Sequence, residues 1–188
     1  MKNLIEKAKS IALNELNTFG SPTIEHFNLS NSVGQRLAKE LGADLDIVML
    51  GTILMDVKIG ECLKEGKVSE HVSRSVNFSK AFLEKENVDS LIIEKVLNCV
   101  GAHHKQIPFS CVEAEICANA DCYRFLHPRG LMSAIKLWSK RTDDLDEIIK
   151  NIDLKVDEKK NILTLKICKD ELDLQYKTIK KLLKEAKN

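Results

Sequence analysis

Residues 42–61, GADLDIVMLGTILMDVKIGE, decide the fold of this chain. The part LDIVMLGTILMDV, residues 45–57, is apolar on nearly every side, and a helix with that pattern is buried among other helices. Asp44, just before it, can cap the first turn of the helix. At its far end the helix runs directly into Asp56, which predicts a carboxylate inside the protein.

The composition indicates an all-helical chain. Hydrophobic residues make up 44% and charged residues 30%, and the 8 glycines and 3 prolines are too few for a turn-dense β fold. A chain of 188 residues has room for one full-sized core and a modest appendage. We therefore expect one all-α domain over residues 1–188, covered at its N-terminus by an amphipathic helix.

Charge and cysteine content exclude several classes of function. The net charge is +1, and no basic stripe with interleaved aromatic residues suggests a nucleic-acid polymer as partner. No run of 18 apolar residues suggests a membrane span, and the N-terminus lacks the pattern of a signal peptide. The 6 cysteines form no CxxC pair, which favours a reducing compartment. We expect a cytoplasmic protein.

Histidines and carboxylates fall on the inward faces of the predicted helices. Asp56 and Asp121 both lie at inward positions, and an unpaired buried carboxylate costs several kcal/mol. No lysine or arginine lies on the same stripes to neutralise them. Four histidines lie on inward faces or at helix ends, namely His26, His71, His103 and His104. This mixed oxygen and nitrogen set predicts a site for one or two divalent ions of Mn, Fe, Co, Ni or Zn.

The C-terminal third has a different pattern. From residue 129 onward the sequence is Lys-rich and amphipathic, which predicts a helical extension. The segment ILTLKI, residues 162–167, alternates like a strand, but no partner strand is predicted. We therefore expect a helix there, and an extension that packs on the core or forms a homodimer contact.

The ordered set of site residues resembles the HD superfamily of metal-dependent phosphohydrolases. Its signature is a histidine, a His-Asp pair that ends a buried helix, and a distant aspartate. His26, the pair Met55-Asp56 and Asp121 stand in those places. Three further segments are similar to the family, namely SEHVSRSVNFSKAFL (69–83), VLNCVGAHH (96–104) and ANADCYRFLHP (118–128). The resemblance covers about residues 22–128 and implies an HD-like helical bundle.

Met55 is the departure from the family, because it stands where the signature has histidine. A thioether is a soft, weak ligand for these metals. In two-metal members, the first ion would use the equivalents of His26, position 55, Asp56 and Asp121. The second ion would share Asp56 and bind His71, His103 and His104. The resemblance therefore implies a weakened or altered first site.

The resemblance also implies a function, which is hydrolysis of a small phosphate ester, such as a nucleotide or dinucleotide, by metal-activated water. Asp56 would act at the reaction centre, and Lys58 is the first candidate for a cation that offsets transition-state charge, followed by Arg124 and Arg129. One alternative is a catalytically impaired module that binds a ligand or serves as a scaffold. A second is a di-iron oxygenase, against which Met55 counts.

Overall fold

The computed structural model describes residues 1–187, and this part of the chain contains helices and no strand. The all-α prediction is confirmed. No helix within the described residues is both long enough and apolar enough to cross a membrane. The helices are α1 (Lys2–Phe19), α2 (Ile24–Leu41), α3 (Leu45–Leu54), α4 (Ile59–Lys64), α5 (His71–Lys85), α6 (Ser90–Ala102), α7 (Val112–Leu126), α8 (Pro128–Trp138), α9 (Leu145–Ile162) and α10 (Lys166–Glu185).

The short helix α3 lies at the centre, as its apolar sequence predicts. Asp44 caps it, since its Oδ1 accepts hydrogen bonds from the backbone N–H groups of the first turn. Helices α1, α2, α6 and α7 all pack against it. Gly51 permits the close approach, because a Cβ there would lie 2.6 Å from Cβ of Cys99 and 2.7 Å from Sγ of Cys117. The end of α3 therefore delivers Asp56 into a space enclosed by several helices.

The C-terminal extension packs against the site-bearing helices. Helix α9 lies on α7 and α8, and α10 lies on α7 and α9. Apolar side chains of α9, including Ile149, Ile152 and Val156, are buried there. This packing brings Glu158 and Lys159 to the region of Asp121, although they are far from it in sequence. Whether the core and extension form one domain, as predicted, stays a prediction.

The helix predicted across residues 162–167 is wrong. Helix α9 ends at Ile162 and α10 begins at Lys166, with an extended connection between them. Asn119 of α7 holds this connection, because its Oδ1 accepts the N–H groups of Thr164 and Leu165, each at 3.1 Å. The alternating pattern therefore marks a break that a distant side chain stabilises.

Candidate metal centre

Three histidines meet at one point in the core. His71 is the first residue of α5, and His103 and His104 directly follow α6. Each offers a ring nitrogen, and these three atoms lie within 4.8 Å of one another. His71 and His103 are buried, and His104 is partly buried. Two helix ends, remote in sequence, thus place three imidazoles around a common space.

Hydrogen bonds fix which nitrogen of each ring faces that space. Nδ1 of His71 and Nδ1 of His103 each face a carbonyl oxygen that can only accept, so Nδ1 carries the proton and, in the neutral ring, Nε2 keeps its lone pair. Nδ1 of His104 faces both Oε1 of Glu158 and, at 3.2 Å, Nζ of Lys159, and the closer carboxylate oxygen favours the proton on Nδ1 there too. Nε2 of His71 and Nε2 of His104 lie 3.3 Å apart, with no proton to share between them. Nδ1 of His71 lies 2.7 Å from the carbonyl oxygen of Val68, and Nδ1 of His103 lies 2.7 Å from that of Val100. Nδ1 of His104 lies 2.9 Å from Oε1 of Glu158.

Asp56 completes the group with a fourth donor atom. Its Oδ1 lies 3.6 Å from Nε2 of His71 and 3.6 Å from Nε2 of His103. Within the described residues, neither Oδ1 of Asp56 nor Nε2 of His103 has a hydrogen-bond partner, although both are buried. Two nitrogens bound to one tetrahedral ion at about 2.0–2.1 Å lie about 3.3 Å apart. A divalent transition-metal ion fits this arrangement. It would satisfy the unpartnered Oδ1 of Asp56 and Nε2 of His103, and the ring protons on Nδ1 point away from it.

Burial favours the neutral form of the His71 and His104 imidazoles by lowering the pKa of each. Burial lowers the pKa of His104 to about 4, although Glu158 acts in the opposite direction. Burial also lowers the pKa of His71, against the effect of the Asp56 charge. A metal binds only the deprotonated nitrogen, so both rings are in the form that binding requires.

Two cations lie on the opposite side of Asp56, namely Arg124, which the sequence offered as the second candidate, and Lys159, which it did not indicate. Arg124 donates from Nη1 to Oδ2 of Asp56 and to Oδ1 of Asp121, the latter at 2.7 Å. Lys159 places Nζ 2.6 Å from Oδ2 of Asp121. Burial alone would raise the pKa of both carboxyl groups, but the neighbouring cations hold each pKa far below its ordinary value. The expectation that nothing cationic neutralises Asp56 and Asp121 is therefore wrong.

A sequence pattern indicates the contact of one of these cations with Asp121 but not that of the other. Arg124 lies three residues after Asp121, on the same face of α7, so helical spacing was a usable signal. Lys159 comes from α9, and only the tertiary packing of the extension brings it to Asp121. No local pattern predicts that contact.

His26 and Met55 are buried on the same side as Arg124. Nε2 of His26 lies 2.9 Å from the carbonyl oxygen of Gly130, which can only accept, so this nitrogen carries a proton. Burial, followed by the charge of Arg124, lowers the pKa of His26 to about 4. The side chain of Met55 lines a small buried space together with Asp56 and Arg124. The structure thus brings His26 close to the carboxylates but turns its Nε2 toward the backbone.

The predicted catalytic cation Lys58 lies elsewhere. Its ammonium group pairs with Glu15 at 3.0 Å and with Glu61 at 2.9 Å, on the side of α1 and α4. Arg129 is exposed, and neither residue lines the cavity beside the metal centre. The structure therefore corrects the expectation for Lys58, because two carboxylates hold its charge away from the histidines. Arg124, the second candidate, is the one that lies at the site.

A cavity of about 220 Å³ opens beside the centre. The polar part of its lining comes from six residues of the centre, which are Asp56, His71, His104, Asp121, Arg124 and Lys159. The rest of the lining is mostly apolar or cationic and consists of Ser21, Pro22, His26, Ile59, Leu63, Val68, Phe125, Ala134, Leu137, Trp138, Arg141 and Lys155. The arrangement can receive a molecule with an anionic end and a ring-sized apolar part.

Comparisons with known proteins agree with this fold. No protein-family model matches the chain. It is similar to ribonuclease Y of Finegoldia magna, with 24% identity over 136 residues, and to ribonuclease Y of Fusobacterium nucleatum, with 28% identity over 131 residues. These alignments cover 72% and 70% of this chain but only 25% and 24% of the relatives, so the chain spans about a quarter of their length.

A solved structure gives the broader match. The crystal structure of a predicted HD superfamily hydrolase from an uncultured Thermotogales bacterium aligns with a TM-score of 0.69 and 12% identity. The alignment covers 96% of this chain and 89% of that one, so it includes the C-terminal extension. The chain has the fold of the HD superfamily.

Proposed function

We propose that this chain is a metal-dependent phosphohydrolase that acts on small phosphate esters. One observation carries the proposal: three Nε2 atoms and Oδ1 of Asp56 converge in a buried space, and each ring has its Nδ1 proton held by a separate acceptor. Such acceptors orient ligating histidines in metal sites. A purely structural histidine cluster would not need all three lone pairs to face one another.

The residues of the centre divide the work between them. Asp56 would present Oδ1 to the ion, while His71, His103 and His104 would supply neutral nitrogens. A divalent ion held there would lower the pKa of bound water and polarise a phosphoryl oxygen. Arg124 and Lys159 line the adjoining cavity and place fixed positive charge where a phosphate would develop negative charge.

The cavity supports a nucleotide-sized substrate. Arg141 and Lys155 would attract the anionic phosphate, and Trp138 and Phe125 offer flat apolar surfaces to an organic ring. The similarity to proteins named ribonucleases supports phosphate-ester chemistry in general. Their much greater length leaves their own substrates as a hypothesis for this chain. A mononucleotide or dinucleotide therefore remains the proposed substrate, with RNA as a test case.

The experiment is a substrate panel on the full chain reloaded with Mn²⁺, Co²⁺ or Zn²⁺. The panel includes p-nitrophenyl phosphate, its bis-ester, nucleoside mono-, di- and triphosphates, dinucleotides and a short RNA. We expect turnover of at least one small ester. Asp56→Asn should reduce kcat/KM by at least about 100-fold, because the carboxylate contacts both the ion and Arg124. Asp143→Asn, at an exposed carboxylate, is the matched control.

The catalytically impaired binding module is the second candidate, and specific contacts favour it. Met55 replaces a ligand of the family signature, and Arg124 and Lys159 already neutralise the two carboxylates. This alternative predicts that nucleotides bind, as calorimetry would measure, without turnover for any metal. A di-iron oxygenase would need a second ion at carboxylates that these cations already contact, so the structure gives it no support.

A further inference from the structure

The carboxylate of Asp56 is shared between two kinds of cationic partner. Its Oδ2 accepts from Arg124, while its Oδ1 faces His71 and His103. In a two-metal centre of the kind the resemblance implies, both oxygens would contact ions. Here one of those two positions is already taken by a guanidinium group of the chain itself.

The other groups assigned to that first ion are also poorly available to a metal. Asp121 contacts Arg124 through Oδ1 and Lys159 through Oδ2. His26 donates its Nε2 proton to Gly130, and position 55 offers only the thioether of Met55. Both carboxylates thus have cationic partners, Met55 is a weak ligand, and His26 has only its Nδ1 lone pair to offer.

Charge balance supports the same conclusion. Arg124 and Lys159 are buried, with exposed fractions of 6% and 2%, and together they carry the formal charge of one divalent ion. With one ion at the histidines, the centre already has the charge of two ions facing two carboxylates. A second ion would add two more positive charges to a buried space whose positive charge already exceeds that of its carboxylates, Glu158 included, and desolvation opposes this addition.

We infer that Arg124 and Lys159 replace the first ion, and that the chain binds a single divalent ion at Asp56, His71, His103 and His104. This inference rests on the proposed function, since it deepens the description of the same centre. The two side chains supply positive charge that cannot dissociate. A chelator would therefore remove one ion from the centre, in a single step.

Metal stoichiometry tests the inference without an activity assay. The full chain, stripped with chelator and desalted, is titrated with Co²⁺ in a calorimeter, and the bound metal is counted by mass spectrometry. We expect one Co²⁺ per chain. Two ions per chain would overturn the inference and leave the proposed function standing, whereas none would overturn both.

A matched pair of histidine variants locates the ion. His104→Asn should weaken Co²⁺ binding by about 10-fold or more, because it removes a ligand. His26→Gln should retain one ion with affinity within about 3-fold, because the Nε2 amide of glutamine can take the place of the ring Nε2 that donates to Gly130. The reverse pattern would place the ion on the other side of Asp56 and would overturn the inference.

Met55→His restores the histidine of the family signature and gives a stricter test. We expect this variant still to bind one ion, because Arg124 and Lys159 continue to contact the carboxylates. Circular dichroism and thermal unfolding verify that it folds. A second Co²⁺ in this single variant would show that the cations do not block the first site, and the inference would fail.

Discussion

Oδ1 of Asp56 and Nε2 of His103 face each other at 3.6 Å in the core, and neither has a hydrogen-bond partner within residues 1–187. Buried polar atoms without partners are rare because each loses its hydration. His103 cannot reorient to relieve this, since its Nδ1 donates to Val100 at 2.7 Å. A shared cation satisfies both atoms at once.

The first prediction concerns Asp56→Asn. The amide keeps the shape of the carboxylate but removes the charge that a divalent ion needs. We expect Co²⁺ affinity, measured by calorimetry, to fall at least about 100-fold. Asp143→Asn should bind like the wild type. If Asp56→Asn retained wild-type affinity, this carboxylate would not be a ligand.

The second prediction concerns Glu158, which orients His104 from the C-terminal extension. Glu158→Ala removes the acceptor of the Nδ1 proton, so the ring can turn and its Nε2 can leave the centre. Loss of such an outer partner typically weakens metal binding about 10–100-fold. Co²⁺ titration measures the change.

Two controls separate this role from a general charge effect. Glu158→Gln keeps an accepting oxygen for His104, so its affinity should lie between those of the wild type and the alanine variant. Lys155→Ala removes a residue that contacts only the other oxygen of Glu158, at 2.7 Å, and should change affinity by less than about 3-fold. Equal losses in all three variants would argue against an orienting role.

The features that the sequence predicts are those that depend on the spacing of residues within one helix. The apolar run of α3 predicts a central helix ending at Asp56, and helical stripes bring His103, His104 and Asp121 inward. Spacing within one helix is enough for such inferences. The fold and the cluster of histidines were therefore accessible from the sequence, while the bound metal and the role of each ligand stay predictions.

The parts that were missed depend on tertiary packing. Lys159 and Glu158 reach the site only because α9 packs against α7. Lys58 is two residues from Asp56 in sequence, yet Glu15 of α1 draws it away. No analysis of neighbouring residues alone shows which of two nearby cations a distant carboxylate will bind.

The third prediction concerns stability and Lys159. Lys159→Met keeps much of the buried chain but leaves one oxygen of Asp121 without its cation. Breaking a buried ion pair in this way costs about 3–5 kcal/mol, because Arg124 alone then faces the two buried carboxylates of Asp56 and Asp121. Urea unfolding of the metal-free chain at pH 7 measures the loss.

The adjacent residue provides the control for that measurement. Lys160 pairs with Asp173 at 3.0 Å in a much more exposed setting. Lys160→Met should therefore lower the free energy of unfolding by less than about 1 kcal/mol. Similar losses for the two lysines would mean that the contact with Asp121 has no special role in stability.

The fourth prediction is a pH dependence of stability that His26 contributes. Burial lowers its pKa from 6.5 to about 4 in the folded chain. The unfolded state therefore binds the proton more readily than the folded state between those values. The contribution is complete above pH 6.5 and is lost progressively as pH falls toward 4. From pH 7.5 to 5 this one group should lower the free energy of unfolding by about 2 kcal/mol.

His26→Gln isolates this contribution, because glutamine does not titrate in this range and its Nε2 amide can still donate to the carbonyl of Gly130. Urea unfolding is measured at pH 7.5 and at pH 5 with chelator present, so that metal binding does not enter. The wild type should lose about 2 kcal/mol more than the variant between the two pH values. If the two chains lost the same amount, His26 would have to be protonated equally in the folded and unfolded states. Its burial beside Arg124 would then have no effect on its titration, contrary to the electrostatics of the site.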